Sequence, residues 1–243
     1  MTLLLLTVAL LVSEPLSVLS VEAESEAAYR FTVARSLSEE GAVVEALEAW
    51  GELLQLVPDD PYARIEYARF LARIGRFEEA ARQVDLLRRA APDNPDALRA
   101  AADVYLSAQR EDERYLTLAV ESLEALAELR PTDDQVLVDL GRVLLIEMDD
   151  PRRAAETFAS AVSLQPASRM LQSYLVESLL RARRRPEAEA RLGEFLERDP
   201  GFLRGRLLLA NQQSRRGDHG GAAETLRAAP AGQRADRDVR WQL

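Results

Sequence analysis

Residues 64–92, RIEYARFLARIGRFEEAARQVDLLRRAAP, contain the pattern that decides the fold of this chain. Two stretches rich in helix-favouring residues flank Gly75, and Pro92 follows the second stretch. Glycine readily adopts the left-handed turn that reverses a chain, and proline cannot continue a helix. The segment therefore predicts two helices joined by a tight turn.

The same pattern recurs along the chain with a nearly constant period. Five prolines are separated by 34, 39, 35 and 34 residues: Pro58, Pro92, Pro131, Pro166 and Pro200. A small residue lies twelve positions before each of them: Ala46, Ala80, Ala119, Ala154 and Ala188. A larger apolar residue lies eight positions before each of them: Trp50, Val84, Leu123, Phe158 and Leu192. A fixed period in the thirties indicates a repeat array, in which each unit buries its apolar face against its neighbours.

The first half of each unit contains a further recurring pair of residues. The pairs are Val33-Ala34, Tyr67-Ala68, Ala101-Ala102, Leu140-Gly141 and Leu175-Val176. Small residues let two helices approach closely, while large residues about four positions away fill the space between them. We therefore expect Trp50, Leu123, Phe158 and Leu192 to be buried between successive units.

This pattern resembles the tetratricopeptide repeat, a helix–turn–helix unit. The fullest match is Arg64-x-x-Tyr67-Ala68-x-x-Leu71, then Gly75-Arg76-Phe77-x-x-Ala80, then Pro92. Other units depart from it, with a five-residue insertion near Arg110–Arg114 and with Arg183 in place of the turn glycine. The resemblance implies an all-α fold, a right-handed superhelical solenoid of helix–turn–helix repeats.

The repeats divide the chain into three predicted segments. Residues 27–229 form the array of about six units, the last of them Leu203–Ala229. Residues 1–26 precede it as an apolar leader, and residues 230–243 form a linker and the start of a possible further repeat. The final residues 239–243, VRWQL, read like the opening turn of another first helix, as expected if the chain is part of a longer protein.

The leader contains an uncharged apolar run, LLLLTVALLV, at residues 3–12. As a helix this run would be about 15 Å long, about half of a hydrocarbon core of ~30 Å. Small residues at Val21 and Ala23 have the spacing of a signal-peptide cleavage site. Three interpretations of the leader remain open: a cleaved signal, a membrane anchor that contacts the bilayer through residues 3–23, and a helix that caps the first repeat.

Composition excludes several classes of function. The net charge of −10 argues against a nucleic-acid surface, which needs a clustered basic face. The sequence has no cysteine, so disulfides, thiolate metal sites and thiol catalysis are excluded. All 31 basic residues are arginine, and such a composition is associated with GC-rich bacterial genomes.

Candidate catalytic residues have simpler interpretations. The single histidine, His219, lies in the turn Arg216-Gly217-Asp218-His219 and has no second histidine or cysteine with which to bind a metal. Three acidic pairs, Glu39-Glu40, Asp59-Asp60 and Asp149-Asp150, are interpreted as helix caps. No glycine-rich phosphate loop is present. We therefore predict a protein that is not an enzyme, without a catalytic, cofactor or metal site.

The resemblance places the candidate binding site on the concave face formed by the first helices. Its inward positions would be Phe31, Arg35, Tyr62, Arg69, Arg73, Arg99, Arg142 and Arg181, with Ile65 and Val138 among the apolar ones. The acidic residues expected there are Glu39, Asp96, Asp103 and Glu177. Guanidinium groups suit carboxylates, so an acidic protein segment or an anionic polymer is the predicted ligand. In the alternative, these arginines only solvate a surface or pair with nearby carboxylates.

The function implied by the resemblance is protein–protein assembly. With the apolar leader, it suggests a bacterial envelope machine for exopolysaccharide export or pilus assembly, with the chain periplasmic or membrane-anchored. One alternative is a docking or regulatory arm of a larger enzyme or outer-membrane porin. Another is a soluble cytoplasmic adaptor, if the leader is a cap helix.

Overall fold

The computed structural model describes residues 15–230, with side chains from residue 24 onward. The apolar run at residues 3–12 and the segment at residues 239–243 therefore lie outside the described residues. Regular structure in the described part is entirely helical, so the predicted all-α repeat fold is confirmed. The helices are α1 (Pro15–Glu40), α2 (Val43–Leu56), α3 (Pro61–Arg73), α4 (Phe77–Ala90), α5 (Pro95–Ala108), α6 (Arg114–Leu129), α7 (Asp134–Arg142), α8 (Pro151–Leu164), α9 (Arg169–Arg181), α10 (Arg185–Arg198), α11 (Leu203–Arg215) and α12 (His219–Arg227).

The chain forms two compact units, whose boundary falls between Ala119 and Val120, within α6. Unit 1 contains α1 to α5 and unit 2 contains α7 to α12. In each unit consecutive helices pack against one another as pairs joined by short turns, with the odd-numbered helix first. Those first helices carry the candidate site.

The predicted core register is confirmed in both units. The five alanines twelve positions before the prolines have no exposed surface, and the five larger residues eight positions before the prolines are at most 1% exposed. In unit 1 the Trp50 ring also reaches Tyr67 of the following pair, with ring centroids 6.3 Å apart. In unit 2 Phe158 stacks on Tyr174 at 5.0 Å. The large residues therefore pack between successive repeats, as expected.

The turns within repeats share one backbone conformation. Gly41, Gly75 and Gly217 have φ values of 78°, 80° and 88°, as the predicted left-handed turn requires. Arg183 adopts the same conformation with φ 62°, although a non-glycine residue is disfavoured there. The backbone N–H of Arg184 donates to the Leu179 carbonyl at 2.8 Å, which matches the bond from Arg76 to Leu71 at 2.9 Å. The fifth repeat thus keeps the turn without its glycine.

The fourth repeat accommodates one additional residue. A π-helical turn, Val143–Glu147, follows α7, and the Met148 N–H donates to the Val143 carbonyl at 3.0 Å. The positive φ of 50° then falls on Asp149, and the closing bond spans six residues, from Asp150 to Leu144. A π-helical turn absorbs one inserted residue in a helix. This explains why Pro131 and Pro166 are 35 residues apart rather than 34.

Side chains near the start of several helices fix the turns within repeats and the junctions between them. Asp60 caps α3 at a junction and accepts from the Ala63 N–H at 2.8 Å, while Asp150 caps α8 within the fourth repeat and accepts from the Arg153 N–H at 3.1 Å, so these two predicted caps are confirmed. The sequence did not predict another contact at the junctions between repeats, in which a side chain of the first helix donates to the proline carbonyl six residues earlier. Its donors are Arg64, Gln172 and Arg206.

The first helix is longer than the others. α1 spans 26 residues and begins at Pro15, so it continues across the predicted boundary between residues 26 and 27. Among residues 15–230, no helix combines the length and the apolar character needed to cross a bilayer.

A buried tyrosine gives the fold a measurable dependence on pH. Tyr105 of α5 has no exposed surface, and its hydroxyl donates a hydrogen bond to the Asp85 carboxylate. Burial, followed by that hydrogen bond, raises the pKa of Tyr105 to about 12, from about 10 in the unfolded chain. Because the folded state holds its proton more tightly, this contribution to stability is complete below pH 10 and lost as the pH rises from about 10 to about 12.

We expect the free energy of unfolding of the wild-type chain to fall by about 2 kcal/mol more than that of Tyr105→Phe between pH 10 and pH 12. The chain has no lysine, so tyrosines dominate its titration in this range. Denaturant unfolding of both proteins at a series of pH values measures the difference. Parallel losses of stability in the two proteins would contradict the buried hydrogen bond.

Candidate functional site

The structure places the predicted binding residues in several distinct surroundings. In unit 1, Arg35, Arg69 and Arg73 line one pocket, whereas Phe31 and Tyr62 line a separate cleft. Arg99 is half-buried on α5 and lines neither of them. In unit 2, Arg181 lines a cleft and Arg142 is exposed on α7. Ile65 and Val138 were expected to face the groove, but this was wrong, because they are only 4% and 6% exposed and belong to the core.

The pocket in unit 1, here called the charged pocket, has a volume of about 390 Å³. The helices α1, α3 and α5 supply most of its lining residues, and α2 supplies Trp50. Its lining residues are Arg35, Ser38, Glu39, Trp50, Glu66, Arg69, Phe70, Arg73 and Asp103. Three guanidinium groups thus share the pocket with three carboxylates. The pocket carries no net charge, although an arginine-rich surface was expected.

Two of these arginines pair with a carboxylate of their own helix. Arg35 Nε lies 2.9 Å from Glu39 Oε1 on α1, and Arg69 Nη1 lies 2.8 Å from Glu66 Oε1 on α3. The four side chains are between 35% and 63% exposed. Exposed pairs of this kind contribute only about 0–1 kcal/mol. A ligand can therefore replace them at little cost.

Arg73 has a different environment. Its Nη2 donates to the Ser38 carbonyl at 3.2 Å, and its guanidinium lies 5.6 Å from the Phe70 ring centroid. Within the described part of the chain it pairs with no carboxylate. Ser38 in turn accepts a hydrogen bond from Trp50 Nε1 at 2.8 Å and donates to the Ala34 carbonyl at 2.7 Å. This network holds Arg73 at the pocket and leaves a cation available for a ligand.

A second feature of unit 1, here called the apolar cleft, has a volume of about 660 Å³. α1 and the beginning of α3 form its sides, and the last turn of α2 forms its base. Its lining residues are Glu24, Ala27, Ala28, Phe31, Thr32, Leu53, Leu56, Val57, Asp60, Tyr62 and Ala63. Phe31 is half-buried, edge-on to the Trp50 ring at 5.5 Å, whereas Tyr62 is 65% exposed. Both predicted aromatic anchors therefore meet in one cleft.

Unit 2 has its own cleft of about 500 Å³ between α9 and α11. Leu180, Leu207 and Leu208 give it an apolar wall, and Glu177 and Arg181 lie among its lining residues. Arg181 Nη2 lies 2.5 Å from Asp149 Oδ1, so this arginine is tied to the turn of the preceding repeat.

The residues considered for chemistry have structural roles. His219 Nδ1 lies 3.3 Å from Ser214 Oγ in an exposed position. Asp218 accepts from the Gly221 N–H at 3.0 Å and so caps α12. Glu39 and Glu40 were expected to cap a helix start, but this was wrong, because they end α1 and contact Arg35 and Ser36 one turn earlier. Over residues 15–230, no group of three His, Cys, Asp or Glu side chains is arranged to hold a metal ion.

Sequence reasoning missed four residues of the charged pocket, one of which is Phe70. The other three, Glu66, Ser38 and Trp50, were likewise absent from the predicted groove residues, yet each of them lines the pocket. Glu66 was detectable, because it follows Tyr62 by four positions and therefore lies on the same face of α3. The hydrogen bond between Ser38 and Trp50 joins two helices and has no local signal in the sequence.

Family models described as tetratricopeptide repeat match residues 37–104 and 175–237, together more than half of the 243 residues. The chain belongs to the tetratricopeptide repeat family. No curated protein matches it at the level of sequence.

Solved structures share the fold at low sequence identity. YrrB, described as a TPR protein with an unusual peptide-binding site, is 18% identical, with a TM-score of 0.55 over 79% of this chain and 96% of YrrB. A structure of MamA is 15% identical, with a TM-score of 0.57 over 73% of this chain and 94% of MamA. The Naa15/Naa10 complex bound to HypK-THB contains a chain that is 17% identical, with a TM-score of 0.67 over 89% of this chain and 33% of that one. These similarities establish the fold alone.

Proposed function

We propose that this protein is a non-catalytic protein–protein interaction scaffold whose unit 1 captures a segment of a partner protein. The observation that carries this proposal is the pairing of an apolar cleft with a charged pocket on the same helices, α1 and α3. Membership of a family of interaction repeats supports it, as does the peptide-binding site described for YrrB.

The geometry supports binding in two physical steps. Tyr62 and Leu56 are 65% and 40% exposed, so a partner side chain that enters the apolar cleft removes apolar surface from water. Burial of such surface contributes about 25 cal/mol per Å². Arg35, Arg69 and Arg73 then offer planar donors that suit partner carboxylates, as in the acidic segment predicted from the sequence. The apolar contact gives affinity, and the charges set orientation and the association rate.

Photo-crosslinking tests the location of the site. A photoreactive residue in place of Tyr62 is expected to crosslink the partner in cells, whereas one in place of Leu86, a 46% exposed residue of α4, is not. With the purified partner, Arg69→Glu and Arg73→Glu should each weaken binding at least about tenfold, because they remove cations that face it. Calorimetric binding assays and thermal melts measure both affinity and stability.

Arg82→Glu is the matched control, since Arg82 is an exposed arginine on the second helix of the same repeat. It should leave the affinity unchanged. Equal losses in all three variants, or crosslinking from position 86 rather than 62, would place the binding surface elsewhere.

We further propose that the protein works in the assembly of a bacterial envelope machine, at or across a membrane. The supporting observation is the uncharged run at residues 3–12, directly upstream of α1. Repeat arrays form extended binding surfaces, which suit a scaffold that joins several components. The docking arm of a larger enzyme or porin and the cytoplasmic adaptor are the alternatives.

A reporter that is active only in the periplasm, fused after Glu24, is expected to be active because the leader would carry it across the membrane. The control fusion lacks residues 3–12 and should be inactive. If the complete leader gives an inactive reporter on an unprocessed chain, the envelope proposal is wrong and the leader acts as a cap helix.

A further inference from the structure

The apolar cleft and the charged pocket follow one another along the same two helix faces. On α1 the lining residues Phe31, Arg35 and Glu39 are spaced by four positions. On α3 the lining residues Tyr62, Glu66 and Arg73 are spaced by four and seven positions. Residues separated by these intervals share a face of a helix. The apolar cleft therefore gives way to the charged pocket within one turn, a distance of about 6 Å.

Each of the two main helices that line the charged pocket contributes both positive and negative side chains. α1 contributes Arg35 and Glu39, while α3 contributes Glu66 together with two arginines. Asp103 of α5 completes the balance of three cations and three carboxylates. A purely acidic ligand would meet these carboxylates, and a purely basic one would meet the guanidinium groups. Repulsion of this kind discriminates against wrong partners as effectively as attraction selects the right one.

We propose that unit 1 selects a partner segment of mixed charge, with an apolar side chain for the cleft and, about one helical turn away, both a carboxylate and a cationic side chain. This proposal rests on the proposed function and specifies its ligand. Arg73, which has no carboxylate partner within the described residues, accepts the ligand carboxylate. Glu39 and Glu66 receive the ligand cation.

The exchange of ion pairs favours such a ligand. The pairs Arg35–Glu39 and Arg69–Glu66 are exposed, and each therefore contributes little to the stability of the free protein. When a ligand covers the pocket, the same groups lie against Trp50 and Phe70 with less water around them. Electrostatic attraction strengthens as water is excluded. A mixed-charge ligand regains both signs of pairing there, whereas a ligand of one sign leaves one set of charges unpaired.

Three fluorescent helical peptides of equal length test the inference against the full chain. Each has one leucine anchor followed, one turn later, by charged residues on an Ala/Gln background. The first carries Glu and Arg, the second carries only Glu and the third carries only Arg. By fluorescence anisotropy at physiological ionic strength, the mixed peptide should bind at least about tenfold more tightly than either of the others. Tightest binding of the Glu-only or the Arg-only peptide, equal binding of all three, or no binding would overturn the inference.

Variants of the pocket separate this inference from the proposed function. The double variant Glu39→Gln/Glu66→Gln should lower the affinity for the mixed peptide about tenfold and shift the preference to the Glu-only peptide. The control Glu48→Gln/Glu78→Gln alters exposed carboxylates of α2 and α4 and should leave both affinities unchanged.

The arginine variants complete the comparison. If the Glu-only peptide binds best and Arg73→Glu abolishes that binding, the scaffold site stands and only the mixed-charge inference fails. If Arg69→Glu and Arg73→Glu alter no peptide affinity at all, both the mixed-charge inference and the binding site of the proposed function are wrong.

Discussion

Close packing between a small residue on the first helix and a large residue on the second helix of each repeat is the constraint on which the rest of the structure depends. Gly141 of α7 packs in this way against Phe158 of α8. A Cβ atom at Gly141 would lie 2.7 Å from the Phe158 ring. Phe158 cannot easily retreat, because it has no exposed surface and stacks on Tyr174 at 5.0 Å. The helices α7 and α8 therefore have little freedom to shift against one another.

This packing determines which side chains remain for function. Once the small residues of the first helices face the second helices, a stripe of longer side chains faces outward from the same first helices. In unit 1 that stripe runs from Phe31 to Glu39 on α1 and from Tyr62 to Arg73 on α3. Its apolar residues lie at one end and its charges at the other. The repeat register thus determines which positions face a ligand, and the side chains at those positions produce the proposed preference for a mixed-charge segment.

The fold was predictable because its signal is periodic. Ala46, Trp50 and their counterparts repeat at intervals that only stacked helix pairs explain, and each is buried as expected. The site was predictable in part. The period predicts that an arginine faces outward, but it does not predict which side chain that arginine pairs with. The pairing of Arg69 with Glu66 and the network from Arg73 through Ser38 to Trp50 depend on side-chain conformations and on contacts between helices. The π-helical turn at residues 143–147 had a sequence signal, the spacing of 35, whose structural form was not evident.

Glycine-to-alanine substitution provides the most direct measurement of the central packing constraint. Gly141→Ala should lower the free energy of unfolding by about 1–3 kcal/mol, because the added methyl group overpacks the contact with Phe158. Gly193→Ala is the matched control within α10, where no atom lies within 4 Å of the added Cβ, and it should raise stability by about 0.5–1 kcal/mol. Denaturant unfolding of the wild-type chain and the two variants gives both values. A similar gain in stability for both variants would show that the helices of the fourth repeat are not in close contact, and would contradict this account of the fold.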